Sequence, residues 1–153
     1  MDQRSKRGYL RQRPFGAGGE GGAPLGVKTG YNPGECNIGS AEIRRRTQSG
    51  WAGLTLTVIL WGALIAFRVL APWRLLLFFP AFFGAVGFLQ AAMHFCAGFA
   101  MRGVFNFGPQ VGQTSAIEKE EFKLKDRRKA GQIILLSALI GIVVALGGFF
   151  LAV

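Results

Sequence analysis

Three long apolar stretches separate the polar parts of this chain, and they lie at about residues 51–73, 75–101 and 132–153. Each is close to or longer than the ~20 residues that an α-helix needs to cross ~30 Å of hydrocarbon. Backbone amides find no water at that depth, so a segment this apolar satisfies them by crossing as a helix. The pattern therefore predicts an all-α integral membrane protein with three transmembrane helices.

The polar segments divide the rest of the chain. Residues 1–35 are rich in Gly and Arg and show neither helical nor strand periodicity. Such a segment cannot bury enough apolar surface to order itself in isolation, so we expect an extended arm that lies on something else. Residues 36–50 form a basic segment that we expect at the membrane interface, where Ser40 would cap a short helix.

The connections between the apolar stretches differ in length. Ala71-Pro72-Trp73 is short enough only for a tight turn, so the first two spans should form an antiparallel hairpin. The second span has more residues than a crossing needs, which predicts tilting, a bend near Pro80 or protrusion from the membrane.

Residues 102–131 should form a cytoplasmic loop with a charged helix that continues into the third span. Ser115 and Glu118 have the spacing of a capping box, which places the helix start near residue 116. Glu121 and Lys125 are spaced to form an ion pair along one helix face. Gly131 is a soft breaker within this long helix.

The basic residues are segregated along the chain, which carries a net charge of +10. Of the 18 Lys and Arg residues, nine lie in residues 1–50 and seven in residues 102–131. This is the positive-inside pattern, and it predicts that both segments lie in the cytoplasm and Val153 lies outside. Beside membrane spans, we expect such charge to contact anionic lipids rather than nucleic acid. The residues expected at the headgroups are Arg44, Arg45 and Arg46.

Small residues recur along one side of the second and third spans. Such stripes let helices approach closely where lipid removes the hydrophobic driving force. They predict helix packing and partner or lipid contacts, including a homo-oligomer, at Gly84, Gly87, Ala91, Gly98, Ser137, Gly141 and Ala145.

Few polar side chains lie within the apolar stretches, and such residues usually indicate function. Gln90 and His94 are four residues apart and share one face of a regular helix. Three interpretations remain open: a haem held by His94 with a second axial ligand from another chain, a quinone or pigment contact, or an interhelical hydrogen bond. Cys96 would lie about 200° around the helix from His94, so both cannot ligate one metal ion.

Motifs for catalysis are missing from the sequence. It contains no Gly-rich phosphate loop, no Ser/His/Asp set and no CxxC or HExxH spacing. The apolar stretches contain no acidic residue, so a proton relay lacks its usual parts. We therefore expect no enzymatic activity, no catalytic residues and no metal site, and no cofactor other than a haem or quinone at His94.

The second span also carries a family resemblance. Its pattern Phe82-x-Gly84-Ala85, followed by Phe95-Cys96 and a small residue, resembles the transmembrane domain of YgaP-type inner-membrane proteins. The basic residues from Ile43 to Arg46 add to the likeness, which covers roughly residues 36–106. The resemblance implies a bacterial helix hairpin that tends to associate. The rhodanese domain of those proteins has no counterpart in these 153 residues, so sulfur transfer is not implied.

These features favour one function over two others. The favoured hypothesis is a non-catalytic accessory or assembly subunit of a larger bacterial membrane complex, respiratory and photosynthetic complexes being candidates. Its arm and basic loop would grip other membrane subunits. The second hypothesis is a homo-oligomeric haem, quinone or pigment binder that uses Gln90 and His94. The third is a free-standing membrane protein whose basic arm binds anionic lipids.

Overall fold

A computed structural model of the chain describes residues 31–151 and is mostly helical. Three helical stretches are long and apolar enough to cross a membrane, Ser40–Ala66, Ala71–Ala92 and Glu120–Phe150. This agrees with the three helices predicted from the apolar pattern. The arm predicted at 1–35 falls almost entirely outside the described residues, as do the last two residues of the third span.

The first helix, α1, spans Ser40–Ala66 and absorbs most of the basic segment predicted as a separate interfacial piece. Its N-cap is Gly39, and no side chain caps it, so the capping role predicted for Ser40 is wrong. The helix ends before Arg68, whose positive φ of 49° breaks the helical path. At about 1.5 Å per residue, α1 is about 40 Å long, which exceeds the hydrocarbon thickness.

The second apolar stretch is not one continuous helix. A 3₁₀ helix at Ala71–Leu77 leads directly into α2, Phe78–Ala92, and a break separates α2 from the short helix α3, Ala97–Arg102. Pro80 lies in the first turn of α2, a position that tolerates proline. The interruption instead lies at His94, which has a positive φ of 50°.

A short antiparallel ribbon follows α3. Strand β1, Val104–Phe105, pairs with strand β2, Ser115–Ala116. The capping box predicted at Ser115 is therefore wrong, because that residue belongs to β2. The ribbon is a small addition to the all-α fold class expected from the sequence.

The last helix, α4, spans Glu120–Phe150 without interruption at Gly131, and its N-cap is Lys119. The predicted ion pair along its first turns is confirmed, with 3.3 Å between Lys125 Nζ and Glu121 Oε1. The charged turns of α4 therefore continue directly into its apolar part.

Helix α2 is the centre of the bundle, because α1 and α4 both pack against it. The contact with α1 brings two backbones together: a Cβ added to Gly53 would lie 2.5 Å from the Gly84 nitrogen, and one added to Gly87 would lie 2.5 Å from the Gly50 nitrogen. Only glycine permits this distance, so the α1–α2 hairpin depends on residues without side chains.

Candidate functional site

Four buried polar residues and the buried Cys96 thiol gather at the end of the bundle where α1 and α4 begin and α2 ends. We call them the polar cap; each is at most 1% exposed, and they are Asn37, Glu42, Cys96, Asn106 and Asp126. Buried polar groups are costly unless they are hydrogen-bonded, so their partners show what the cluster does.

Asn37 closes the break after α2. Its Oδ1 accepts from the Cys96 backbone nitrogen at 2.6 Å, and its Nδ2 donates to the Cys96 carbonyl at 3.1 Å. The backbone nitrogens of Asn37 and Ile38 both donate to the His94 carbonyl, at 3.2 and 3.3 Å. The Asn37 side chain thus satisfies the Cys96 nitrogen, and the backbone of residues 37 and 38 satisfies the His94 carbonyl at the interruption.

Glu42 connects the first turn of α1 to the loop between the strands. Its Oε1 accepts from Asn106 Nδ2 at 3.2 Å and from the Gly112 backbone nitrogen at 2.8 Å. Its Oε2 lies 3.7 Å from Arg46 Nη2 in an ion pair. Asn106 Nδ2 also donates to the Gln110 carbonyl at 3.0 Å, so the loop is held from both sides.

Arg46 points into the protein and away from the headgroup position predicted for it. Besides its ion pair with Glu42, its Nη2 donates to the Cys96 sulfur at 3.0 Å. Its guanidinium carbon lies 6.0 Å from the centre of the Phe99 ring, a cation–π distance. The headgroup contact expected for Arg46 is therefore corrected to a contact within the cap.

Asp126 fastens the segment before α1 to α4. Its Oδ1 accepts from the Gly34 backbone nitrogen at 2.7 Å, and its Oδ2 accepts from the Tyr31 hydroxyl at 3.3 Å. Burial and the neighbouring carboxylate raise the pKa of Tyr31, which keeps its hydroxyl a proton donor. The Tyr31 ring stacks on Phe105 with 4.7 Å between centroids. Residues 31–39 are consequently attached to α4, to β1 and to the α2–α3 break.

The structure does not bring Gln90 and His94 to one helical face. Gln90 is buried, and its Oε1 accepts from the Ala97 nitrogen at 3.2 Å, which supports the start of α3. His94 follows the end of α2 in a left-handed conformation, and its side chain is exposed. The premise of a regular helix, from which we expected their shared face and the 200° offset of Cys96, is therefore wrong.

The small residues lie mostly on contacts within the chain. Gly84 and Gly87 face α1, and Gly141 packs against Phe78. The other buried members of the predicted stripes are Ala91, Ser137 and Ala145. Gly98 is exposed and belongs to α3, so it does not continue the stripe of α2. The partner contacts expected at the buried positions are thus replaced by packing among α1, α2 and α4.

Arg44 and Arg45, in contrast, are exposed on the outer side of α1. Together with Gln48 they line a polar groove beside the loop at Pro109 and Val111. The predicted headgroup position therefore remains available to these two arginines.

The sequence pattern did not predict most residues of the polar cap. Asn37, Asn106 and Asp126 lie in segments that read as loop or solvated helix, and their partners are distant in sequence. Glu42 was the one recognisable candidate in the sequence, because it is the only acidic residue between positions 36 and 117 and is followed by three arginines. Arg74, which separates the first two apolar stretches in the sequence, is 7% exposed in the 3₁₀ helix.

The side chains of the polar cap bind backbone segments and one another. Across residues 31–151, no group of three His, Cys, Asp or Glu side chains is placed to hold a metal ion. Comparison with protein-family models, curated proteins and solved structures finds no match to this chain. The resemblance to YgaP-type hairpins therefore stays a prediction.

Proposed function

We propose that this chain is a non-catalytic accessory or assembly subunit of a larger bacterial membrane complex, with respiratory and photosynthetic complexes as candidates. One observation carries the proposal: the buried polar side chains of the polar cap form hydrogen bonds that hold backbone segments together. Asn37 holds the α2–α3 break, Glu42 holds the loop, and Asp126 holds residues 31–34. A rigid bundle with such a cap can present surfaces to neighbours without chemistry of its own.

The proposal places all three helices across the inner membrane with the polar cap in the cytoplasm. The cap adjoins the basic residues of α1 and the charged first turns of α4, and positive charge favours the cytoplasmic side. The connection between α1 and the 3₁₀ helix then lies outside, and so does Val153.

The outer faces of α1 and α4 supply the surface for neighbours. Their large apolar side chains are widely exposed, including Ile59 at 63% on α1 and Val143 at 69% on α4. A face of this kind is stable against lipid or against another transmembrane helix. We propose that partner helices cover part of it and that the arm reaches their cytoplasmic faces.

Purification from native membranes in a mild detergent tests this function. We expect the tagged chain to carry other membrane subunits in fixed stoichiometry, identified by mass spectrometry. Deleting residues 2–30 should release them while leaving the bundle intact, since the polar cap begins with contacts at Tyr31.

Two outcomes would overturn the proposal. One is a lone species without partners in several mild detergents. The other is a haem absorption band in the purified protein that disappears in His94→Ala, which would favour the cofactor hypothesis instead.

A further inference from the structure

A polar groove of about 500 Å³ lies beside the first turns of α1, outside the polar cap. One wall is a single face of α1, and the opposite wall is the loop at Pro109 and Val111. The α1 residues in this wall follow the i, i+3, i+4, i+7 spacing of one helical face, and they are Ala41, Arg44, Arg45 and Gln48. The groove is therefore a built feature of two segments rather than a scatter of surface charges.

The charge in this groove is uncompensated. Arg46, the third arginine of the run, is occupied by Glu42 and by the Cys96 sulfur. Arg44 and Arg45 are exposed, and neither forms an ion pair with another of the described residues. The acidic side chain nearest in sequence, Glu42, is 1% exposed, and its carboxylate is engaged by Asn106, Gly112 and Arg46. Two guanidinium groups thus face the groove, and guanidinium groups bind phosphate through paired hydrogen bonds.

The position of the groove along α1 matches the depth of lipid headgroups. Trp51 is 59% exposed and marks the membrane interface, where tryptophan is enriched. Gln48 and Arg44 precede Trp51 by three and seven residues, which corresponds to about 5 and 10 Å along the helix. The headgroup layer extends on the order of 5–8 Å beyond each side of the hydrocarbon. Pro109 and Val111 add apolar surface at the same level.

From this charge, shape and depth we infer that the groove binds the phosphate headgroup of an anionic phospholipid. Arg44 and Arg45 hold the phosphate oxygens, and the Gln48 amide contacts the glycerol or a second headgroup oxygen. The site needs the membrane placement proposed above but no partner subunit. It ties the loop between the strands to the bilayer surface, next to the point where Glu42 binds Gly112.

Native mass spectrometry of the full-length protein, released from nanodiscs of mixed phosphatidylglycerol and phosphatidylcholine, tests the site. We expect the wild-type protein to retain phosphatidylglycerol at activation energies that remove phosphatidylcholine. Arg44→Gln/Arg45→Gln should weaken phosphatidylglycerol retention at least about tenfold, because each basic residue near an anionic surface contributes to binding. The matched control is Arg127→Gln/Arg128→Gln, which removes two exposed charges from α4 and should leave retention within about twofold.

Each other outcome overturns the inference. An equal loss in both double variants indicates diffuse attraction between basic residues and the membrane. Unchanged retention in Arg44→Gln/Arg45→Gln shows that the lipid binds elsewhere, provided circular dichroism shows a native helix content. Displacement of the lipid by millimolar inorganic phosphate would identify a site for a soluble phosphate. Loss of partner subunits leaves these results unchanged, so the lipid site and the subunit proposal fail separately.

Discussion

Gly53→Ala should lower the free energy of unfolding by about 3 kcal/mol, the upper end of the usual cost of overpacking. The added Cβ would lie 2.5 Å from both the nitrogen and the Cα of Gly84, and 3.0 Å from the Pro80 carbonyl oxygen. All three atoms belong to the backbone of α2, so no side chain can rotate away. The helices must separate, and the α1–α2 contact loses its close packing. Unfolding by sodium dodecyl sulfate in mixed micelles, followed by circular dichroism, measures the change.

The same helix supplies the control for this substitution. Gly62 also lies in α1, but a Cβ there would meet no atom within 4 Å. Gly62→Ala should leave stability unchanged or raise it by about 0.5–1 kcal/mol through helix propensity. Equal destabilisation by both substitutions would contradict the packing derived for the hairpin.

Asn37→Ala should cost about 2–4 kcal/mol of stability. The substitution leaves the buried Cys96 nitrogen without its partner at 2.6 Å, and such an unsatisfied group costs about 1–3 kcal/mol. The Cys96 carbonyl loses the Asn37 donor but keeps the Ala100 nitrogen at 3.1 Å, so this lost hydrogen bond adds only about 1 kcal/mol. The loss should also open the polar cap around the Cys96 thiol, which is 1% exposed in the native protein. Alkylation of Cys96 by a maleimide, in a Cys36→Ser background, should therefore become faster together with the fall in stability.

Asn32→Ala is the matched control for this second prediction. The Asn32 side chain is exposed and its hydrogen bond with Glu35 is local, so its loss should change stability by no more than about 0.5 kcal/mol. If Asn37→Ala behaves like Asn32→Ala, and Cys96 stays unreactive, the Asn37 side chain does not hold the break in α2.

The apolar pattern predicted the three helices because hydropathy over about 20 residues depends only on local composition. The ion pair between Glu121 and Lys125 was predictable for a related reason, since neighbours on a helix face are fixed by spacing. Both features are local in the sequence.

The interruption at His94 depends on contacts that no local pattern records. Residues 75–101 are apolar apart from a few positions such as Gln90 and His94, and they favour an unbroken helix. Asn37, 59 residues from Cys96 in sequence, instead satisfies the backbone of an interrupted one. The capping box at Ser115 failed for the same reason, because pairing with Phe105 places Ser115 in a strand. At the α2–α3 break and at Ser115, tertiary hydrogen bonds outweigh the local preference for helix.

The small-residue stripes predicted where helices approach, but they carry no information about which helices meet. A glycine row has the same appearance whether it faces another part of the chain or a partner. In this fold Gly84 and Gly87 pack against the backbone of α1, and Gly141 packs against Phe78. These glycines are therefore buried by packing within the described residues, and the exposed apolar surface lies elsewhere on the helices.

We propose that the three helices cross the membrane with the polar cap in the cytoplasm, and single-cysteine labelling in intact cells is the most direct test of this placement. Both native cysteines are first replaced by serine. One variant then carries a cysteine at Leu70, which is 73% exposed in the connection between α1 and the 3₁₀ helix. The other carries a cysteine at Gln113, which is exposed in the loop between the strands. A membrane-impermeant maleimide should label Leu70→Cys in intact cells and Gln113→Cys only after lysis. Labelling of Gln113→Cys in intact cells, with Leu70→Cys protected, would contradict the proposed orientation and both proposals that depend on it.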